Sequence, residues 1–362
     1  MNWTGQVRTE DADPRTTHRH ARVDQVPSAH ELVKRYGRTS ISFQALSKDM
    51  QHWFSRAQDQ HACVAYTETA GSLVAVGGAI APESDELDVM HGFHEAARAR
   101  GKRVRFFAMD QDVSARSPFA SLHIGEEPVW DPGDWPNGLS KRIRGQIRRA
   151  VNKGDIQVRL ASAQELSDPH SGLRRDIEEI TQCWLQSRRM APMGFLVQLD
   201  PFHLAHERRF FVAEHAGRIV SALIAIPIYA RGGWFFDQML RHPSAPQCAV
   251  ELLFDFAMKT FAEEGVKYAT FGLSPLAGSP SPALQHIRER ASFLYNFKGL
   301  HAFKAKLAPK VWQPIYLSYP KREHGVRAVY DALAAFTPRG PLRFAVDSLV
   351  MRARSLRRGE DA

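Results

Sequence analysis

Apolar and polar positions alternate along the chain in short blocks whose period switches between that of a strand and that of a helix. Residues 28–37, SAHELVKRYG, set Ser28 ahead of a helix-period run, Glu31 at capping-box spacing and Gly37 at the stop. Residues 61–80, HACVAYTETAGSLVAVGGAI, read as two strands around a short Ala-Gly turn. Residues 83–101, ESDELDVMHGFHEAARARG, form an amphipathic helix pattern, acidic at its start, basic at its end and closed by glycine. A strand follows in KRVRFFAMD at 102–110, and another lies within ASLHIGEEPVWD at 120–131.

After a basic stretch at 139–154 a similar order resumes. DIQVRLAS at 155–162 reads as a strand and LRRDIEEITQCWLQSRR at 173–189 as a helix. Residues 208–240 give three strands separated by HAGR and ARGG, both good turn chemistry. VELLFDFAMKTFAEEG at 250–265 is a helix and VKYATFGLS at 266–274 a strand. A loop, a short helix and a strand near VWQPIYLSY at 311–319 come next. Each half therefore runs strands, helix, strand. A meander feeding a helix and then a parallel strand predicts an α/β (α+β) fold with a mixed sheet. The halves match in order but not residue by residue, which reads as a structural duplication.

A chain of 362 residues suits two domains of about 150 residues each. The expected units are a polar, disordered segment 1–27, an N-terminal domain 28–138, a connecting helix 139–154, a C-terminal domain 155–337 and a tail 338–362. No apolar run is long enough to span a bilayer; the best, IVSALIAIPIYA, is short and contains a proline. The N-terminus lacks the apolar core of a signal peptide. Cys63, Cys183 and Cys248 lie far apart with no C-x-x-C pair, so a reduced, cytoplasmic protein without a disulfide frame or zinc ribbon is expected. Forty-eight cations against 39 anions leave a net charge of +9, which favours polyanions: nucleic acid, anionic lipid or phosphorylated cofactors.

That excess is concentrated in LSKRIRGQIRRAVNKG, 139–154. Lys141, Arg142, Arg144, Arg148, Arg149 and Lys153 stand there with no carboxylate among them. On a helical wheel Leu139, Ile143, Ile147, Ala150 and Val151 form one apolar stripe and the six cations the opposite half. Neighbours such as Arg144 and Arg148 repel, so a polyanion contact is favoured over an ordinary solvated face, and its binding should fall steeply with salt.

HIGEEPVW and RRAVNKG, together with FFDQMLRHPSAPQCAVELL at 235–253 and LYNFKGLHAFKAKLAPKVWQPIYL at 294–317, resemble the soluble catalytic domain of phosphatidylglycerol lysyltransferase. The likeness is spread over roughly residues 40 to 335, and FKGLHAFKAKLAPKVW is its most specific part. It implies tandem acetyltransferase-like (GNAT) folds joined by the basic helix. It implies transfer of an amino acid from aminoacyl-tRNA, as co-substrate, to a hydroxyl on a lipid headgroup, with no other cofactor. Family members carry this domain behind a many-pass membrane flippase, which is not in this sequence. The family usually places an acid three residues before the arginine of FFDQMLR; here Gln238 holds that place and Asp237 lies four before Arg241. Either a bulge re-aims Asp237 or donor recognition differs.

The residues support that chemistry in part. The strand–helix loop HPSAPQCA has two prolines and no glycine, which disfavours a backbone cradle for the pyrophosphate of coenzyme A. An aminoacyl ester is already activated, so the enzyme must position a hydroxyl, hold the donor amine and stabilise an oxyanion. Asp237 would hold the ammonium or orient the hydroxyl, or else form a surface pair. Arg241 would meet a phosphate or the tRNA terminus. Glu251, a candidate substrate contact, is also placed to complement a helix dipole. Lys298, Lys304 and Lys306 are interleaved with Tyr295, Phe297 and Phe303. That pattern suits a nucleic-acid end, with Lys298 and Lys304 favoured for phosphate or lipid headgroup and the rings favoured as core.

The pairs His91/His94 and His203/His206 lack a third ligand nearby, so no metal site is expected. The tail PLRFAVDSLVMRARSLRRGEDA carries an apolar stripe flanked by arginines. It suits a helix lying on an anionic membrane, or equally one packed on its own domain. The expected partners are thus tRNA and an anionic membrane lipid in peripheral contact. Two rivals remain: a coenzyme-A-dependent acyltransferase, and a non-catalytic module that binds RNA or anionic membrane.

Overall fold

The structure is a computed structural model that describes residues 27–57, 60–153, 156–187, 194–197, 199–246, 248–278, 297–337, 340 and 343–344. The expected disordered segment 1–27 lies, but for Pro27, outside the described residues, as does nearly all of the tail 338–362. The first half runs α1 (Ala29–Tyr36), β1 (Gln51–Ala57), β2 (Gln60–Glu68), β3 (Ser72–Val76), α2 (Glu86–Ala99), β4 (Arg103–Met109), α3 (Gln111–Arg116) and β5 (Ala120–Trp130). After α4 (Lys141–Lys153) come β6 (Gln157–Leu160), α5 (Ala163–Ser167), α6 (Gly172–Ser187), β7 (Arg209–His215), β8 (Arg218–Ile228), β9 (Gly233–Arg241) and α7 (Ala249–Glu263). Two short strands follow, β10 (Ala269–Thr270) and β11 (Ser274–Pro275), and then α8 (Phe297–Ala305), β12 (Val311–Tyr319) and α9 (Gly325–Phe336).

Local chemistry explains the ends. Ser28 and Glu31 form the reciprocal capping box of α1, and Ser162 and Glu165 repeat it on α5. The β7–β8 turn places Ala216 and Gly217 at positive φ, the backbone a tight hairpin needs. β8 is buried along nearly its whole length and reads as a continuous apolar run, as a central strand covered on both faces should.

All twelve strands form one mixed sheet in the order β1-β2-β3-β4-β12-β5-β10-β9-β8-β7-β6, with β11 paired to β5. The β3–β4 and β10–β9 pairs are parallel and the others antiparallel. The order departs from the chain in one respect. β5 does not lie beside β4: β12 sits between them, pairing with both, while β5 passes on to pair with β10. Each run of strands is therefore closed by a strand from the other half. The boundary expected at residue 155 does not hold in space, since β12 and α9 lie on the N-terminal side of the sheet. α9 is anchored there by Asp331, which accepts hydrogen bonds from Arg103 and from the fully buried Arg105 of β4.

In the C-terminal half, α7 and α4 cover one face of the sheet. Leu139, Ile143, Ile147 and Ala150 pack there with Leu223, Ala225, Phe236, Leu253 and Phe254. α6 covers the opposite face over Phe210, Val212, Ala222 and Ile224. Val151, expected on the apolar stripe of α4, is instead 57% exposed; the contact with α7 is narrower than the wheel allowed.

Candidate functional site

Two irregularities in the sheet create the site. The first is in β9. Ile224 of β8 faces Gln238 and its neighbour Ala225 faces Phe236, so Asp237 has no residue opposite it: it is the extra residue of a β-bulge. The bulge turns the Asp237 carboxylate onto the face of the 3-10 turn Phe43–Leu46. Its Oδ1 accepts from Gln44 Nε2 at 2.8 Å; its Oδ2 accepts from Arg208 Nη1 at 3.1 Å and Gln238 Nε2 at 3.2 Å. The Asp237 and Arg208 side chains are only 10% and 7% exposed, so this is a buried pair and not a surface one. Arg208 also donates to the His203 carbonyl at 2.7 Å and stacks over Phe43 at 5.4 Å. Gln238 Oε1 is buried and has no partner among the described residues.

The second irregularity is the split between β9 and β10. β10 lies between β9 and β5 and pairs with β9 only at Ala269–Trp234 and Thr270–Phe235, after which the chain leaves β9 and continues along β5 as β11. The expected strand at 266–274 is thus two short pieces. The crossover turns at Gly272, whose φ is +64°; a Cβ there would lie 2.6 Å from the Phe235 ring. The carbonyls of Phe271, Gly272 and Leu273 converge on Lys304 Nζ at 3.0, 2.9 and 3.0 Å. Lys304 is buried, which corrects its expected role at a surface phosphate. Three acceptors take all three hydrogens of an ammonium. Burial pushes Lys304 down to about 7, against the opposing pull of Glu127.

Glu127, on β5, is buried too. Ser40 Oγ donates to its Oε2 at 2.9 Å, and Tyr268 OH lies 3.5 Å from its Oε1 and 3.3 Å from Gln313 Oε1. Burial raises the Glu127 carboxyl, opposed by hydrogen bonds from Thr270 and Ser40 and by the charges of Lys304 and Arg231. Burial and the Glu127 charge raise the Tyr268 phenol. One segment spans both clusters: Ser40 holds Glu127 and Gln44 holds Asp237. Arg208 also lines a cavity of about 520 Å³, together with Leu160, Leu166, Arg174, Phe202 and Phe210.

The other expected site residues lie elsewhere. Arg241, at the end of β9, donates to the Ala245 carbonyl at 2.5 Å and ties down the loop before α7. Glu251 sits in the first turn of α7 and accepts from Lys306 at 2.6 Å, so these two candidates partner each other. Lys298 is exposed on α8, while the side chains of Tyr295 and Phe297 lie outside the described residues. On α4, Lys141, Arg142, Arg144, Arg148 and Arg149 are exposed, and among the described residues none has an ion pair or side-chain hydrogen bond. The Lys153 side chain lies outside the described residues. The basic helix does not share the site of Asp237. α4 packs with Ala225 and Phe236 on one face; the turn that holds Asp237 packs through Phe43 on Ile226, Ile228 and Phe235 on the other.

Glu127, Arg208, Gln44, Thr270 and Tyr268 were not singled out from the sequence. The available signal was Glu127 itself, one of two adjacent acids inside an apolar strand pattern, where a carboxylate must find a partner.

A match to the family described as phosphatidylglycerol lysyltransferase, C-terminal, runs from residue 30 to 319. The chain belongs to this family. The phosphatidylglycerol lysyltransferase of Staphylococcus aureus is 24% identical over 310 residues, 82% of this chain and 36% of the relative. The Bacillus subtilis protein of that name is 24% identical over 299 residues, 79% of this chain and 34% of the relative. The chain thus spans about a third of the length of the curated relatives it matches. The fold is shared with the C-terminal domain of a protein designated a lysylphosphatidylglycerol synthetase from Agrobacterium fabrum, with a TM-score of 0.72 and 22% identity over 86% of this chain and 97% of that one. It is also shared with L-PGS from Bacillus licheniformis, at 0.69 and 20% over 85% and 96%. Among the described residues no helix is long and apolar enough to cross a membrane.

Proposed function

We propose that this protein is a transferase that moves an amino acid from aminoacyl-tRNA to a hydroxyl of a membrane glycerolipid such as phosphatidylglycerol. The observation that carries the reading is the family match over residues 30–319, on a chain whose sheet opens into a buried polar site at the β9 bulge. In the reaction the acceptor oxygen bonds the ester carbonyl carbon and the bond to the tRNA ribose oxygen breaks. A proton passes from the acceptor hydroxyl to that ribose oxygen.

Asp237 and Gln238 Oε1, which has no partner among the described residues, would supply acceptors for the donor's ammonium, with Arg208 and Gln44 fixing the carboxylate. Glu127, whose carboxyl is raised by burial and opposed by the charge of Lys304, would relay the proton. We read the two runs of strands as acetyltransferase-like halves joined through α4. The five exposed cations of α4 face away from Asp237, so they would grip the body of the tRNA and not its acylated end.

The test is transfer of radiolabelled amino acids from a charged tRNA pool into the lipid phase of phosphatidylglycerol micelles. Label should enter the lipid and vanish when ribonuclease precedes the assay. Transfer that survives ribonuclease and requires acetyl-coenzyme A would replace this reading with a coenzyme-A-dependent one. Binding of RNA or vesicles without any transfer would replace it with a non-catalytic module.

A further inference from the structure

α9 carries a second apolar ridge on its outer side. A helix lying on a sheet ordinarily turns its large apolar side chains inward. Here Ala328, Ala332 and Ala335, 0%, 5% and 8% exposed, turn inward onto Ile41, Val74, Ala108 and Leu317, with Val329 and Phe336 packed against the same cluster. The large residues Val326, Tyr330 and Leu333 recur at i, i+4 and i+7 on the outer side, 76%, 48% and 43% exposed. Cations border this ridge: Lys321, Arg322 and Arg327 are all exposed. Arg327 lies 5.8 Å from the Tyr330 ring and 3.6 Å from Asp331. The nearby acids turn away from solvent, Asp331 to Arg103 and Arg105, and Glu323 to Arg105. A short apolar ridge rimmed by cations, with its acids neutralised from behind, matches an anionic bilayer surface. It suits RNA poorly, since RNA has no use for exposed aliphatic groups, and a second copy of the chain would meet the same positive charge.

We propose that the outer face of α9 seats the protein on an anionic membrane, Val326, Tyr330 and Leu333 entering the interface and Lys321, Arg322 and Arg327 meeting phosphate headgroups. The inference rests on the lipid-acceptor reading above. It also gives that reading a geometry: Ile41, in the segment whose Ser40 and Gln44 cover Glu127 and Asp237, belongs to the apolar cluster beneath α9. The membrane would therefore lie on the side of the sheet that carries the site.

The experiment compares the full chain with V326S/Y330S/L333S and with K321Q/R322Q/R327Q. Co-sedimentation uses phosphatidylcholine vesicles with and without phosphatidylglycerol, and transfer is measured separately to short-chain phosphatidylglycerol in micelles. The unaltered protein should partition onto vesicles containing phosphatidylglycerol. The serine variant should lose at least about tenfold in partitioning, and the glutamine variant should lose most of its preference for the anionic lipid. Both should keep micellar transfer and an unchanged unfolding temperature. Undiminished vesicle binding by the serine variant overturns the proposal. So does a fall in unfolding temperature with vesicle binding intact, which would place the ridge under another part of the chain. A dimer dissolved by the serine substitutions, or RNA binding lost with them, overturns it in favour of those partners. If no protein transfers label to micelles, the lipid-acceptor reading fails by itself, while vesicle partitioning still decides the docking face.

Discussion

Replacing Asp237 tests whether the bulge carries a buried ion pair. Asp237→Ala removes three accepted hydrogen bonds and leaves the Arg208 guanidinium, 7% exposed, without the carboxylate it pairs with. Breaking a buried pair from one side costs about 3–5 kcal/mol. Arg208 keeps the His203 carbonyl and the Phe43 ring, which places the loss near the lower end, about 3 kcal/mol. Asp237→Asn keeps the volume and one acceptor and should cost about 1–2 kcal/mol. Arg208→Met should cost about as much as Asp237→Ala. The double variant should be more stable than the two losses added together, by about 2 kcal/mol, because neither charge is then stranded. Urea unfolding followed by both circular dichroism and tryptophan fluorescence gives these values, provided the two transitions coincide. If the double variant recovers stability but transfers no label, Asp237 acts on the substrate as well as on Arg208. Single losses below about 1 kcal/mol, adding without interaction, would refute the buried pair and the reading of the bulge built on it.

Gly272→Ala should lose about 1–3 kcal/mol in urea unfolding, from positive φ and a Cβ driven into the Phe235 ring; a neutral substitution would mean that the crossover is not held as described. Lys304 sheds its proton near pH 7 when folded, but only near pH 10.4 when unfolded. Its folded pKa is depressed, so the penalty is full below about 7 and is relieved as pH rises towards 10.4. Stability relative to the Lys304→Met variant should therefore rise between pH 7 and 10, and a flat difference would contradict the burial. Changing Lys141, Arg142, Arg144, Arg148 and Arg149 together to Gln should leave the unfolding midpoint nearly unchanged. It should flatten the plot of log affinity for tRNA against log salt by as much as about 4 to 5; an unchanged slope would remove α4 from the RNA contact.

Much of the fold was legible because local chemistry and tertiary packing agree. Ser28 and Glu31 announce α1, and the Ala216–Gly217 turn announces the β7–β8 hairpin, from a few residues alone. The amphipathic stripe of α4 was legible up to Ala150. Val151 was not, because how far a helix face is covered depends on the partner helix and not on the wheel. β1 escaped notice because QHWFSRA mixes polar and aromatic positions and gains its order from pairing with β2. The site was half legible. Asp237 and the possibility of a bulge follow from its offset by one residue from the place where the family resemblance implies an acid. Its partners Arg208 and Gln44 lie 29 and 193 residues away in sequence and are joined only by the sheet. Lys304 has an ordinary surface residue's neighbours in sequence. Only the crossover at 271–273 turns three carbonyls towards it.

The interleaving of β12 between β4 and β5 bears on how the chain is made. Leu317 must find Phe107 across roughly 200 residues of intervening chain, and loop closure on that scale is slow. Until then β4 is an open edge, so a nascent chain emerging from the ribosome carries an unpaired template for aggregation through most of its synthesis. A chain stopped before residue 311 would not yield a shortened version of this fold. It would yield two unfinished sheets, and folding chaperones would have to shield the first of them until the final strand arrives.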